Sequence, residues 1–182
     1  LTTGDYGQWK LHESPAPADD TSAGVLVWYD AETVEITEAT EMVPGRVQRM
    51  RVRVLADGTD FDLVNAYIPT RGGTSTAAKL IRLEATREAL EDAADAADAK
   101  GRELVVAGDL QAQTARALSA QRHARSGNEY DAWLGKYTTE HCLMSVGEVE
   151  ATYCAGEGGA TTAIDHWIVS AMMAERAEVE VG

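Results

Sequence analysis

Basic residues are scarce in this chain: 16 Lys and Arg stand against 30 Asp and Glu, a net charge of −14. That balance argues against a generic nucleic-acid binder, whose affinity comes from cations that neutralise phosphates. Cysteine is nearly absent as well, with Cys142 and Cys154 alone. They have neither a Cys-x-x-Cys spacing nor a His at zinc-finger distance, so the pattern predicts two free thiols in a reducing compartment, with a single disulfide as the alternative. No apolar run approaches the ~20 residues of a membrane-spanning helix, and no basic-then-apolar leader marks secretion. His12, His123 and His141 are isolated, and no His has a second one at i+4 to make a metal pair. The glycine cluster Gly156-Glu-Gly-Gly159 lacks the Gly-Lys-Ser/Thr ending of a phosphate-binding loop and is assigned no nucleotide role.

What is present suits a globular enzyme-sized unit. A length of 182 residues with 45% hydrophobic content predicts one domain with a real core. The expectation is an intracellular protein, nucleus or cytoplasm left open, with no membrane contact; the start at Leu1 instead of Met leaves room for an upstream targeting segment. The charge is unevenly spread. Val64 to Leu83 contains no acid but carries Arg71, Lys79 and Arg82, and Leu110 to Asn128 is acid-free with Arg116, Arg122, His123 and Arg125. A locally neutral-to-positive mouth on an acidic body fits a site that admits phosphate, which nominates Arg71, Arg116 and Arg122 as substrate-binding residues. The plain alternative is that Ala-, Ser- and Thr-rich loops lack acids by chance.

Along the chain, residues 1–23 hold Pro15, Pro17 and polar residues without period, and read as an irregular leader or domain-edge remnant. Gly24-Val-Leu-Val-Trp-Tyr-Asp30 is a short strand, with Thr33 to Thr37 as its pairing partner. Gln48 to Leu55 alternates, Met50, Val52 and Val54 against Arg49, Arg51 and Arg53, and the Asp57-Gly58 turn joins it to Phe61 to Ile68 as a hairpin. Period two puts Phe61, Leu63, Asn65 and Tyr67 on one face of that second strand. Ser75 or Thr76 can cap a helix running to about Lys100 and stopped by Gly101. Its buried stripe is Leu80, Leu83, Leu90, Ala94 and Ala97, and Glu88, Glu91, Asp92, Asp95 and Asp98 form a solvated flank. Leu104 to Ala107 is a buried strand, Ala112 to His123 is irregular or weakly helical, and Glu129 to Tyr137 is a short helix carrying Trp133. Strand, strand, helix, strand and a final strand make the class α/β with mixed sheets.

Three strands carry polar residues that a purely structural strand would not choose. They are Leu63-Val-Asn-Ala-Tyr-Ile-Pro-Thr70, Leu104-Val-Val-Ala-Gly-Asp-Leu-Gln111 and Ala163-Ile-Asp-His-Trp-Ile-Val-Ser170. Gly108-Asp109 sets a carboxylate just past the end of a buried strand, the edge where ligands gather in α/β sheets. A turn-capping Asp is the ordinary use of such a pair. Three blocks in order are far more specific than any one of them. Together they resemble the endonuclease/exonuclease/phosphatase superfamily of metal-dependent phosphodiesterases, whose blocks read roughly N-x-Y-x-P, G-D-x-N and S-x-I-D-x-(I/V)-x-x-S. The resemblance covers residues 24–182 as a partial domain.

The resemblance implies a four-layer α/β sandwich of two packed mixed β-sheets, here incomplete. It implies that Asp109 orients or deprotonates the attacking water. Gln111 stands where the family has Asn, with the same amide but one methylene more reach. Tyr67 takes the place of the phenol that meets the scissile phosphate, and Asp165 that of the Asp that orients a His. Asn65, nominated among the substrate-binding residues, is also read as a residue that holds a neighbouring strand. His166 cannot serve as the oriented His, because adjacent strand residues point to opposite faces. Asp109 and Gln111 are the implied ligands of Mg²⁺, or of Mn²⁺. The family's upstream Glu ligand and closing Ser-Asp-His are not found, which predicts weak metal binding, an inactive fragment truncated at both ends, and a monomeric domain of a longer polypeptide. The Ile-Asp-His wording points to the DNA endonucleases of retroelements, associated with a reverse transcriptase. The alternatives are a phosphatase or phosphodiesterase of the same fold acting on inositol phosphates or lipid esters, and a non-catalytic decayed domain.

Overall fold

A computed structural model describes residues 1–20, 23–69, 77–114, 128–146, 153–154, 161–162 and 164–175. Alternating side chains produce the strands that matter for the site. β5 (Val47–Val54) and β6 (Asp60–Tyr67) form the expected antiparallel hairpin, and their apolar faces bury Met50 and Val52 on one side and Val64 and Ala66 on the other. β6 then pairs in parallel with β7 (Glu103–Asp109), and the crossover between them contains helix α1 (Ala77–Asp98). A parallel pair needs such a crossover, since no tight turn can join strands that run the same way. β4 (Val34–Val43) lies outside β5, and β11 (Asp165–Ser170) and β8 (Leu143–Val146) extend the other edge. The sheet order is β4-β5-β6-β7-β11-β8, antiparallel everywhere except β6-β7.

One face of this sheet is covered by α1 and by α2 (Glu129–Glu140), which bury Leu83, Leu90, Ala94, Leu134 and Tyr137 with Val64, Val106 and Ile168. Tyr137 donates its hydroxyl to the Leu90 carbonyl at 3.3 Å, stitching the two helices together. The start of α2 is fixed by a capping box in which Asn128 and Asp131 exchange side-chain and backbone hydrogen bonds. The opposite face meets a second, three-stranded sheet of β1 (Thr2–Tyr6), β2 (Trp9–Ser14) and β3 (Val25–Asp30). Asn65 of β6 reaches across and donates its amide to the Leu26 carbonyl of β3 at 2.9 Å. The remaining described elements are the small β9 (Tyr153–Cys154) and β10 (Thr161–Thr162) pair and the single turn α3 (Ala171–Ala174). The class is α/β, two packed sheets with the described helices on the outer face of the larger one.

Four expectations change. Residues 2–14 are an antiparallel hairpin and not an irregular leader, because Gly7 adopts φ 75° and turns the chain tightly enough for five cross-strand pairs. The strand from Val34 pairs with β5 and not with β3, which takes β2 as its partner in the other sheet. The smaller sheet is antiparallel throughout instead of mixed. Leu80 is 38% exposed, so the buried stripe of α1 begins at Leu83. The acidic flank is exposed as expected at Glu88, Asp92, Asp95 and Asp98, but His141 docks on it, 2.8 Å from Glu91. Ser75, Thr76 and the glycine cluster at 156–159 lie outside the described residues.

Candidate functional site

Register brings the three sequence blocks into one row. Asp109, the last residue of β7, pairs with Tyr67 at the end of β6 and with Asp165 at the start of β11. Residues directly opposite on neighbouring strands share a face, so the phenol and both carboxylates stand on the side away from the helices. Tyr67, Asn65, Ala66, Gly108 and Asp109 line an open cleft of about 310 Å³, closed on its far side by Gly24, Val25 and Leu26. Two further backbone bonds hold the row together: Ile68 N–H to the Asp109 carbonyl at 2.9 Å, and Leu110 N–H to the Ile164 carbonyl at 2.8 Å.

Glycine is obligatory before Asp109. Gly108 has φ 129°, and a Cβ there would lie 2.1 Å from the Ala66 carbonyl oxygen. The parallel approach of β6 and β7 at this level is possible only without a side chain. After Asp109 the chain turns sharply, with Gln111 in the left-handed region at φ 52°. In this turn the Gln111 backbone N–H donates to Asp109 Oδ1 at 3.0 Å, and its side-chain amide donates to Oδ2 at 2.6 Å. Both oxygens of Asp109 are therefore gripped by one residue.

Burial pushes the Asp109 carboxyl up to about 6. The backbone hydrogen bond from Gln111 opposes that rise, the charge of Asp165 adds to it, and the Gln111 side chain opposes it again. The result is a carboxylate that is largely ionised at neutral pH yet basic enough to accept a proton.

His166 follows the alternation rule. It is buried on the helix side opposite Gly108, and its Nε2 lies 2.6 Å from the Ala112 carbonyl. It anchors the loop that carries Gln111 and does not enter the cleft. Asn65 lines the cleft while its amide nitrogen is committed to Leu26. Arg82 pairs with Asp19 at 2.5 Å and lies 3.6 Å from Asp20, so it contributes to packing at the end of the fold. Arg71, Arg116 and Arg122 lie outside the described residues.

Sequence reasoning missed Arg46. Its guanidinium carbon lies 4.6 Å from the centre of the Tyr67 ring, and its carbonyl accepts the Tyr67 N–H at 2.8 Å. The signal was available: Arg46 is in phase with Gln48, Met50 and Val52 on the buried face of the strand it precedes, where a charge is out of place.

The donor set suits a hard cation in kind. Asp109 offers carboxylate oxygens and Gln111 an amide oxygen, and Asp165 stands opposite. Among the described residues no group of three or more His, Cys, Asp or Glu side chains is gathered tightly enough to hold a metal. The shell these residues supply is partial.

Comparison with known proteins adds the fold. No family model matches the sequence, and no curated protein is similar to it by sequence. Solved structures do match. The AP endonuclease LMAP from Leishmania major superposes with a TM-score of 0.66 at 13% identity, covering 92% of this chain and 63% of that one. The 3′ phosphatase NExo from Neisseria, bound to a product DNA hairpin, gives 0.64 at 18% identity, with coverage of 92% and 69%. An endonuclease/exonuclease/phosphatase family protein from Bacteroides thetaiotaomicron gives 0.59 at 13% identity, with coverage of 90% and 62%. The chain has the endonuclease/exonuclease/phosphatase fold. It spans 62 to 69% of the length of these three structures. Among the described residues, no helix of this fold is long and apolar enough to cross a membrane.

Proposed function

We propose that this chain carries the catalytic core of a Mg²⁺-dependent phosphodiesterase acting on DNA, of the endonuclease type found with retroelement reverse transcriptases. The observation that carries the reading is the row Tyr67, Asp109, Asp165 across three adjacent strands, with Tyr67 and Asp109 lining one cleft. The Ile164-Asp165-His166 wording supports the retroelement assignment. Mn²⁺ would satisfy the same oxygen donors.

Hydrolysis needs a positioned water, a proton acceptor for it, and donors for the charge that grows on the phosphate oxygens. Asp109 is the acceptor: it is held in a fixed orientation by the two Gln111 hydrogen bonds, and its proton affinity is raised by burial and by Asp165. Tyr67 directs its phenol toward the phosphate from the adjacent strand. Asn65, with Arg71, Arg116 and Arg122 from the acid-poor segments, would carry the rest of the substrate. Asp109 and Gln111 would hold the cation, which when bound neutralises charge on the phosphate and its leaving oxygen. The family's Asn is replaced by the longer Gln111, and no Glu ligand or Ser-Asp-His is identifiable in these 182 residues. Residues that act as a unit are strongly non-additive, so residues 1–182 alone should show little activity.

The test is nicking of supercoiled or abasic-site DNA by the protein encoded by the full reading frame. Mg²⁺-dependent nicking that Asp109→Ala abolishes is expected; nicking that survives Asp109→Ala would remove the basis of the assignment. A small phosphate ester is the second reading, favoured by the net charge of −14. Turnover of inositol phosphates without DNA nicking would establish it instead.

A further inference from the structure

We infer that Arg46 is a positioning residue that sets the pose of the Tyr67 ring, and that Asp20 holds it for that task. The inference rests on the phosphoesterase reading for its catalytic consequence, but its structural content can be read without any turnover.

Arg46 is only 2% exposed and Asp20 8%. The guanidinium Nη2 meets Asp20 Oδ2 at 2.5 Å, and Asp20 is also 3.6 Å from Arg82 of α1. Among the described residues, buried Nε and Nη1 of Arg46 have no hydrogen-bond partner. Burying a guanidinium is costly even when it is paired, and a packed apolar side chain of similar volume would often be as stable or more so. Packing alone does not account for the residue. What it does provide is a planar cation 4.6 Å from the Tyr67 ring centre, within the range of cation–π attraction. The same residue receives the Tyr67 backbone N–H. Backbone and ring of Tyr67 are thus both fixed by Arg46, and Arg46 is fixed in turn by Asp20 at the turn that precedes β3.

The row geometry makes this matter. Tyr67 is the register neighbour of Asp109, so a swing of its side chain about the Cα–Cβ bond moves the phenol oxygen relative to the acceptor carboxylate. A misplacement of about 1 Å at a reacting centre can cost on the order of a hundredfold in rate. Lys in place of Arg46 would keep the charge but lose the plane and the fixed fork.

The decisive variant is the pair Arg46→Met with Asp20→Leu, which removes both charges and leaves no orphaned buried carboxylate; Arg82 keeps Asp19. Arg46→Lys is the second variant, in case the pair does not fold. Residues 1–182 are labelled with 3-fluorotyrosine, and the Tyr67 line among the six tyrosines is identified by its loss in Tyr67→Phe. The wild-type line should be single and sharp. It should shift and split or broaden in the double variant, and shift in Arg46→Lys. An unchanged Tyr67 line in a folded variant overturns the proposal. In the full reading frame, kcat should fall about tenfold or more with KM within about twofold. In a Tyr67→Phe background the same change should cost under about twofold, and a full-sized further loss would mean that Arg46 meets substrate directly. If the wild type turns over no phosphoester at all, the functional reading fails, while the fluorine line still decides the role of Arg46.

Discussion

Replacing Gly108 with Ala tests whether the site row is built as tightly as described. The added Cβ would stand 2.1 Å from the Ala66 oxygen, 3.1 Å from the Ala66 carbonyl carbon and 3.2 Å from its nitrogen. An ordinary carbon–oxygen contact is roughly 3.3–3.6 Å, so β6 and β7 must part by about 1 Å at this level. Gly108 also has φ 129°, where a side chain is strained whatever the space. Backbone strain of about 1–3 kcal/mol and overpacking of about 1–3 kcal/mol combine to about 2–6 kcal/mol. That is a large share of the roughly 5–15 kcal/mol by which domains are stable. Gly101→Ala is the control: it has φ 58° and nothing within 4 Å, so only the backbone cost of about 1–2 kcal/mol applies. Urea unfolding followed by circular dichroism gives both values from the midpoints and slopes. Gly108→Ala should be worse than Gly101→Ala by about 1 kcal/mol or more. Equal costs would refute the claim that the approach of β6 demands a glycine.

Other outcomes follow from the same geometry. Asp109 has its carboxyl raised from 3.8 to about 6, so its stabilising contribution is complete below about pH 4 and is lost as pH rises through about 6. Two units correspond to about 3 kcal/mol, discounted to about 1–2 kcal/mol because the group is partly solvated. Asp109→Asn should therefore be more stable than wild type at pH 7.5 and close to it at pH 4; parallel unfolding midpoints at both pH values would contradict the buried acid. Asp62 is 1% exposed in its side chain, with Arg49 at 2.5 Å and Arg102 at 3.5 Å. Asp62→Ala strands those cations and should cost about 3–5 kcal/mol in urea unfolding, and a loss under 1 kcal/mol would show the ladder to be solvent-screened. Titration calorimetry of residues 1–182 with Mg²⁺ should show weak binding, since two ligands leave most of the shell to water; tight one-to-one binding would reveal donors not identified. Gln111→Asn in the full reading frame should raise the nicking rate if the shorter amide restores the reach, and a fall would mean that the Gln111 grip on Asp109 is the working arrangement.

By itself the sequence determined the central strands and the identity of the row. Alternation in residues 47–67 settles which side chains share a face, because the strand period of two leaves no other choice. The three polar-bearing blocks pointed to Tyr67, Asp109 and Asp165 through their resemblance, taken together and in order, to the endonuclease/exonuclease/phosphatase pattern. Register is different. That Tyr67 pairs with Asp109 and Asp109 with Asp165 depends on strand order, which is set by long-range packing of α1 and α2 on the sheet. The hairpin at residues 2–14 was illegible for a related reason. It has Trp9, Leu11 and Tyr6 among polar residues, and it becomes a sheet only by pairing with β3. No reason for a glycine at 108 itself was legible in the sequence; it lies in the Ala66 carbonyl of a strand far away along the chain. Arg46 went unnoticed in the sequence, and only the tertiary structure supplies Asp20 to hold it and the Tyr67 ring for it to cover. Periodicity fixes faces because it is local; partners across the sheet are chosen by the free energy of the assembled core, which no local window contains.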